Sequence, residues 1–219
     1  MLVVNTKAYE EGIGNNAIEL AKLMEEIGKK HEVEMAIAVQ IADIYRVAKN
    51  VNINVFSQHM DAINYGSYTG WILPHAIKEA GAHGSLLNHS EHMIKIDEIT
   101  KAIEMAKKIG LKTIVCASNT AITKAIACLS PHYIAIEPPE LIGGDVSVTK
   151  AKPHVVKKAV EEVKSIDEGI KVLCGAGIKS GKDVEKAIKL GADGILVASG
   201  VVRAKNKEKV LEEMALALK

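Results

Sequence analysis

Apolar residues along this chain fall into two alternating rhythms. Short runs, nearly continuous and rich in β-branched residues, read as strands buried on both faces. Longer stretches with apolar residues every three or four positions read as amphipathic helices. Leu2-Val3-Val4 is a strand ending in Asn5-Thr6-Lys7, and Asn15–Lys30 is a helix with Ile18, Leu20, Ala21, Leu23, Met24 and Ile27 on one stripe. Residues 33–39 form a second strand, Ala42–Lys49 a short helix and Ile53–Ser57 a third strand. A polar loop, Gln58–Trp71, precedes a helix over Pro74–Ala80 and a strand over His83–Leu87. The second half repeats the unit more cleanly. Helices are expected over Asp97–Ile109, Thr120–Leu129, Thr149–Ile166, Ser180–Leu190 and Lys207–Leu218. Strands are expected at Lys112–Cys116, Tyr133–Ile136, Lys171–Cys174 and Gly194–Val197. Pro153 falls in the first turn of its helix, where proline is tolerated, and Ser180 is a fitting N-cap.

Eight strands alternating with helices, at about 27 residues a unit, argue for a parallel sheet with crossover helices. The expected fold is a single α/β domain over residues 1–219: a (β/α)₈ barrel with shortened helices, at the small end of that fold's range. The competing doubly wound open sheet usually has fewer strands and one switch point. No linker or compositional break divides the chain.

Composition narrows the classes. The chain is 48% hydrophobic but only 3% aromatic, so its core is aliphatic. A net charge of +1 gives no field for nucleic acid or a membrane surface. No stretch reaches membrane-spanning length. Cys116, Cys128 and Cys174 are far apart and form no redox or zinc motif. These features read as a soluble, reduced, cytoplasmic protein.

The candidate chemistry collects where strands end, which is where this barrel places its sites. Asn5 and Lys7 follow the first strand, His89 the fourth and Glu137 the sixth. Gly175-Ala176-Gly177 follows the seventh and Ala198-Ser199 the eighth. Gly-rich and small-residue turns ahead of helices expose backbone N–H groups suited to an anion. After Glu137 come Pro138 and Pro139, then Gly143-Gly144, a segment stiff in the middle and free at its far edge, as a hinged lid would be. A solvated glutamate in a proline-rich turn is the plainer alternative. Together these residues describe a phosphorylated small molecule beside a carboxylate base.

Asn5-Thr6-Lys7, Asn88-His89-Ser90-Glu91 and Glu137-Pro138 with Ile142-Gly143 occur in this order along the chain. In this the chain resembles the triosephosphate isomerase family, in its short archaeal form. The resemblance implies a catalytic trio of Glu137 as base, His89 as neutral imidazole donor and Lys7 as fixed cation. It implies substrate contacts from Asn5, Thr6, Lys7, Ile142, Gly143, Gly177, Ala198 and Ser199, with Ser90 and Glu91 supporting them. It implies no metal and no cofactor. The loop Gly66-Ser67-Tyr68-Thr69-Gly70 is similar to the family's subunit-clasping loop, which implies at least a dimer, and the short form a tetramer. The commoner form differs at Thr6, at the lid, at Trp71 and at both phosphate turns. Another phosphosugar isomerase or epimerase, or a silent phosphometabolite-binding barrel, is the alternative reading on the same fold.

Overall fold

The computed structural model describes residues 1–138 and 147–219. Eight parallel strands close into a barrel in chain order, β1 next to β8. The strands are β1 (Leu2–Asn5), β2 (Met35–Val39), β3 (Asn54–Ser57), β4 (Gly84–Leu87), β5 (Lys112–Ala117), β6 (Tyr133–Ile136), β7 (Lys171–Cys174) and β8 (Gly194–Val197). The helices outside are α1 (Asn15–His31), α2 (Ile44–Ala48), α3 (Pro74–Glu79), α4 (Ile96–Ile109) and α5 (Thr120–Ala127). They continue as α6 (Val148–Ala151), α7 (Pro153–Ile166), α8 (Gly181–Lys189), α9 (Ser199–Val202) and α10 (Lys207–Leu216). Several are short, as expected. Among the described residues no helix is long and apolar enough to cross a membrane.

Strand alternation sorts the core into two clusters. Val3, Ala38, Phe56, Leu86, Cys116, Ala135, Leu173 and Leu196 fill the barrel interior. Leu2, Val4, Ile37, Ile134, Ile136 and Val172 face outward into the layer formed with Leu20, Met24, Ile103 and Val163 of the helices. Because side chains alternate with period two, the interior face continues at the C-terminal rim through Asn5, Gln40, Gln58, Asn88, Glu137, Gly175 and Ala198. The aliphatic barrel thus opens into a polar mouth by register alone.

Two local expectations are corrected. The helix expected over Thr149–Ile166 is two helices, because Lys152 leaves helical geometry at φ −140°, ψ 56°. A residue before proline is pushed out of the α region, so Pro153 opens a new helix and does not sit inside an older one. A short helix, α9, follows β8 where a plain turn is expected. Its four residues are too few to show helical periodicity. Ser180 caps α8 as expected, its side chain accepting from the Asp183 N–H.

Candidate active site

Lys7 occupies left-handed backbone at φ 49°. For a branched-free but non-glycine residue that geometry costs about 1–2 kcal/mol and must be held from outside. Its N–H donates to Asn5 Oδ1 at 2.9 Å. Its carbonyl accepts from Gln40 Nε2 at 3.0 Å and from Gln58 Nε2 at 2.9 Å. The ammonium meets Glu91 Oε1 at 2.6 Å, with the lysine side chain 10% exposed and the glutamate 57%. Three strand ends therefore fix where one positive charge stands.

His89 follows β4 in a non-helical segment. The preceding Asn88 is also left-handed, at φ 56°. Asn88 Nδ2 donates to the Cys116 carbonyl at 3.0 Å, and its Oδ1 accepts from the Ile94 N–H at 3.1 Å. The Glu91 N–H donates to His89 Nδ1 at 3.2 Å. A ring nitrogen that accepts carries no proton, so the proton of a neutral imidazole belongs on Nε2. Nε2 lies 3.5 Å from Glu137 Oε2.

Glu137 sits one residue past β6, and its N–H donates to the Ala117 carbonyl at 2.9 Å. It is 7% exposed, not a solvated turn residue. Its Oε2 is buried without a hydrogen-bond partner. Such an oxygen normally costs free energy, and it marks where a donor or a reacting proton belongs. Gly175 makes room for it, since a Cβ there would stand 2.7 Å from Glu137 Cγ. Burial, with the Glu137 charge adding to it, pushes the Cys116 thiol far up and the Cys174 thiol to about 12. Both thiols are inert beside the carboxylate, as small buried cysteines.

Asn5, Lys7, His89, Glu137, Gly177, Ala198 and Ser199 line one open cleft. Its far wall adds Ile178, Lys179 and Gly200. There Ala176 and Gly177 both stand at φ 70° and line the cleft. Thr6, expected to contact substrate, does not line the cleft. It is fully buried, one residue out of phase with Asn5, and its Oγ1 accepts from Gln58 at 3.2 Å. Ser90 is half-buried between His89 and Glu91. Ile142 and Gly143 lie outside the described residues. Among those described, no group of three His, Cys, Asp or Glu could hold a metal ion. Residue-type reasoning missed Gln40, Gln58 and Lys179. The inward phase of β2 and β3 would have found both glutamines.

Comparison with known proteins places this geometry. Residues 1–214 match the family model for triosephosphate isomerase. A triosephosphate isomerase of Methanocaldococcus jannaschii is 49% identical over 214 residues, 98% of each chain. Those of Methanothermus fervidus and Archaeoglobus fulgidus are 47% and 44% identical, each over 98% of this chain and 96% of their own. With the barrel closed and residues 1–214 matched, the protein belongs to the triosephosphate isomerase family.

Proposed function

We propose that the chain interconverts dihydroxyacetone phosphate and D-glyceraldehyde 3-phosphate, an aldose–ketose isomerisation of glycolysis and gluconeogenesis. The substrates differ by one proton moved between adjacent carbons. Glu137 removes the proton from the carbon beside the carbonyl. His89 donates from Nε2 to the carbonyl oxygen, giving an enediol or enediolate. The same groups return the protons to the neighbouring positions, so the chemistry balances without an oxidant. Lys7 offsets charge on the developing oxyanion and on the phosphate, and Asn5 orients the substrate oxygens. Backbone N–H groups at Gly177, Ala198 and Ser199 receive the phosphate, joined by the Ile142-Gly143 segment.

The observation that carries this reading is the pairing of a buried, unpartnered carboxylate oxygen with an imidazole obliged to present Nε2–H, 3.5 Å apart. Supporting it, the proton transfers need only Glu137 and His89, both of which line the cleft. The reading includes one catalytic domain spanning residues 1–219 and a homo-oligomer, at least a dimer and a tetramer in the short form. A cytoplasmic setting fits three unpaired cysteines.

Glu137 provides the test. Glu137→Gln should lower turnover on the order of 10²–10⁴-fold, the range for loss of a general base. Glu137→Asp withdraws the carboxylate by one methylene and should slow turnover strongly while leaving inhibition by inorganic phosphate intact. Deuterium uptake from D₂O into substrate should fall in step with isomerisation, because both pass through one enediolate. Wild-type deuterium exchange in Glu137→Gln would remove Glu137 as the base.

A further inference from the structure

Away from the reacting groups, one buried carboxylate collects donors from two segments, one of which lines the cleft. Asp183 lies in the first turn of α8, and its side chain is 3% exposed. Oδ1 accepts from Ser147 Oγ at 2.8 Å and meets Lys150 Nζ at 2.9 Å. Oδ2 accepts from Ser180 Oγ at 2.8 Å and from the Lys179 N–H at 3.2 Å. The Oδ1 partners belong to residues 147–151, the stretch after β6 that resumes the described chain. The Oδ2 partners belong to the turn after β7, and Ala176, Gly177, Ile178 and Lys179 of that turn line the cleft. A backbone bond, Val148 N–H to the Ala176 carbonyl at 3.0 Å, crosses the same gap.

Capping alone does not account for this arrangement. An N-cap box for α8 needs only Ser180 and Asp183, three residues apart. Ser147 and Lys150 come from 36 and 33 residues away and take a whole oxygen of the carboxylate. Burial by itself would raise this carboxyl, but Lys150, Ser147, Ser180 and the Lys179 N–H together hold it below the usual range. It is therefore a charged acceptor with both oxygens committed, each to a different segment.

We propose that Asp183 is a positioning residue for the isomerisation, holding the Gly177–Lys179 turn against residues 147–151 so that its backbone donors converge on the substrate phosphate. The proposal rests on the phosphate reading above. Asp183 touches no reacting atom, so its effect runs through phosphate affinity and not through proton transfer. A substrate without phosphate should hardly notice its loss.

The experiment compares wild type with Asp183→Asn and Ser147→Ala. Each is assayed with glyceraldehyde 3-phosphate, with phosphate-free glyceraldehyde and for competitive inhibition by inorganic phosphate, alongside a thermal melt. Asn keeps one acceptor but turns an amide toward two donors. In Asp183→Asn, KM for glyceraldehyde 3-phosphate and the inhibition constant for phosphate should both rise about tenfold, the scale of one charge-assisted hydrogen bond. Ser147→Ala should show the same pattern more weakly, and it carries the test if Asp183→Asn does not fold. With glyceraldehyde, kcat/KM should change by less than twofold in both. Equal losses on the two substrates would reduce Asp183 to a structural residue and overturn the proposal. So would unchanged phosphate inhibition in variants of a phosphate-inhibited wild type. A wild type that phosphate does not inhibit would instead overturn the anion site itself, and this proposal with it.

Discussion

At the scale of single residues, two charges beside the reacting groups differ in how much they should matter. The Lys7–Glu91 pair is short at 2.6 Å, but Glu91 is 57% exposed. Exposed pairs contribute about 0.2–1 kcal/mol. Glu91→Gln keeps the backbone N–H that fixes His89 and removes the charge that pairs with Lys7 and lies 3.6 Å from His89 Nδ1. It should lower kcat/KM by less than about tenfold. Lys7→Met removes the buried cation from the reaction itself and should cost on the order of 10²–10³-fold, as for loss of one transition-state charge contact. Lys7→Arg keeps the charge but not its place and should also be impaired. Steady-state kinetics of the three variants give the comparison. If Glu91→Gln proves as damaging as Lys7→Met, the carboxylate has a role beyond holding the lysine. The residues proposed to carry the chemistry were legible in the sequence because each closely follows an apolar run, as Glu137 does after Tyr133–Ile136. Gln40 and Gln58 were not, because an amide after a strand looks like any solvated loop residue. Only the closed barrel brings both onto the Lys7 carbonyl.

At the scale of elements, the chain announces its strands better than the ends of its helices. A strand buried on both faces must be nearly all apolar, and β6 to β8 coincide with their expected bounds for that reason. Helices such as α6 and α9 are one turn long, too short for a period, and their limits are set by Pro153 and by packing. The bottom of the barrel depends on a residue with no sequence signature at all. Asp193 precedes β8, and its Oδ2 accepts from the Val172 N–H at 2.8 Å and lies 3.1 Å from Lys164 Nζ. Burial works to raise its carboxyl, but the Val172 N–H and Lys164 outweigh it and leave the value below the ordinary 3.8. A carboxyl depressed by folding adds stability in full above its unfolded value, and that stability fades as pH falls through the lower folded one. Asp193→Asn should therefore melt earlier than wild type at neutral pH, by about 1–3 kcal/mol for a broken charged hydrogen bond. As pH falls below about 3.8 and on through the lower folded value the two proteins should draw together, since Asp193 then takes up its proton and becomes neutral like Asn. A melting difference that is flat across that range would show that Asp193 acts by shape and not by charge.

At the scale of the whole molecule, the distribution of aromatic residues argues for a covered face. The chain has five Tyr, one Trp and one Phe. Four of these seven, Tyr45, Tyr65, Tyr68 and Trp71, are exposed by 45–69%. Ile41, Met93 and Ile96 are exposed by 46–70% on neighbouring loops and helix starts of the same half of the barrel. A chain so poor in aromatics would not leave most of them in water without a partner, and aromatic residues are those enriched at interface centres. One of them, Ile41, lines a recess together with Lys7, Gln40, Gln58, His59, His89 and Glu91. The recess backs directly onto the reacting groups, so a second copy seated there would keep water from Lys7 and His89. That makes assembly and activity one question. Wild type should sediment as a multiple of the 23.5 kDa chain. Tyr68→Glu with Trp71→Glu places two charges where the apolar contact should form and should shift the protein toward the monomer. Turnover should fall about tenfold or more as the pair dissociates, with partial recovery at high protein concentration, because the barrel itself is untouched. Circular dichroism would confirm that the fold survives. A wild type that is a fully active 23.5 kDa monomer, or a double variant that stays assembled, would show that the aromatic face has another use.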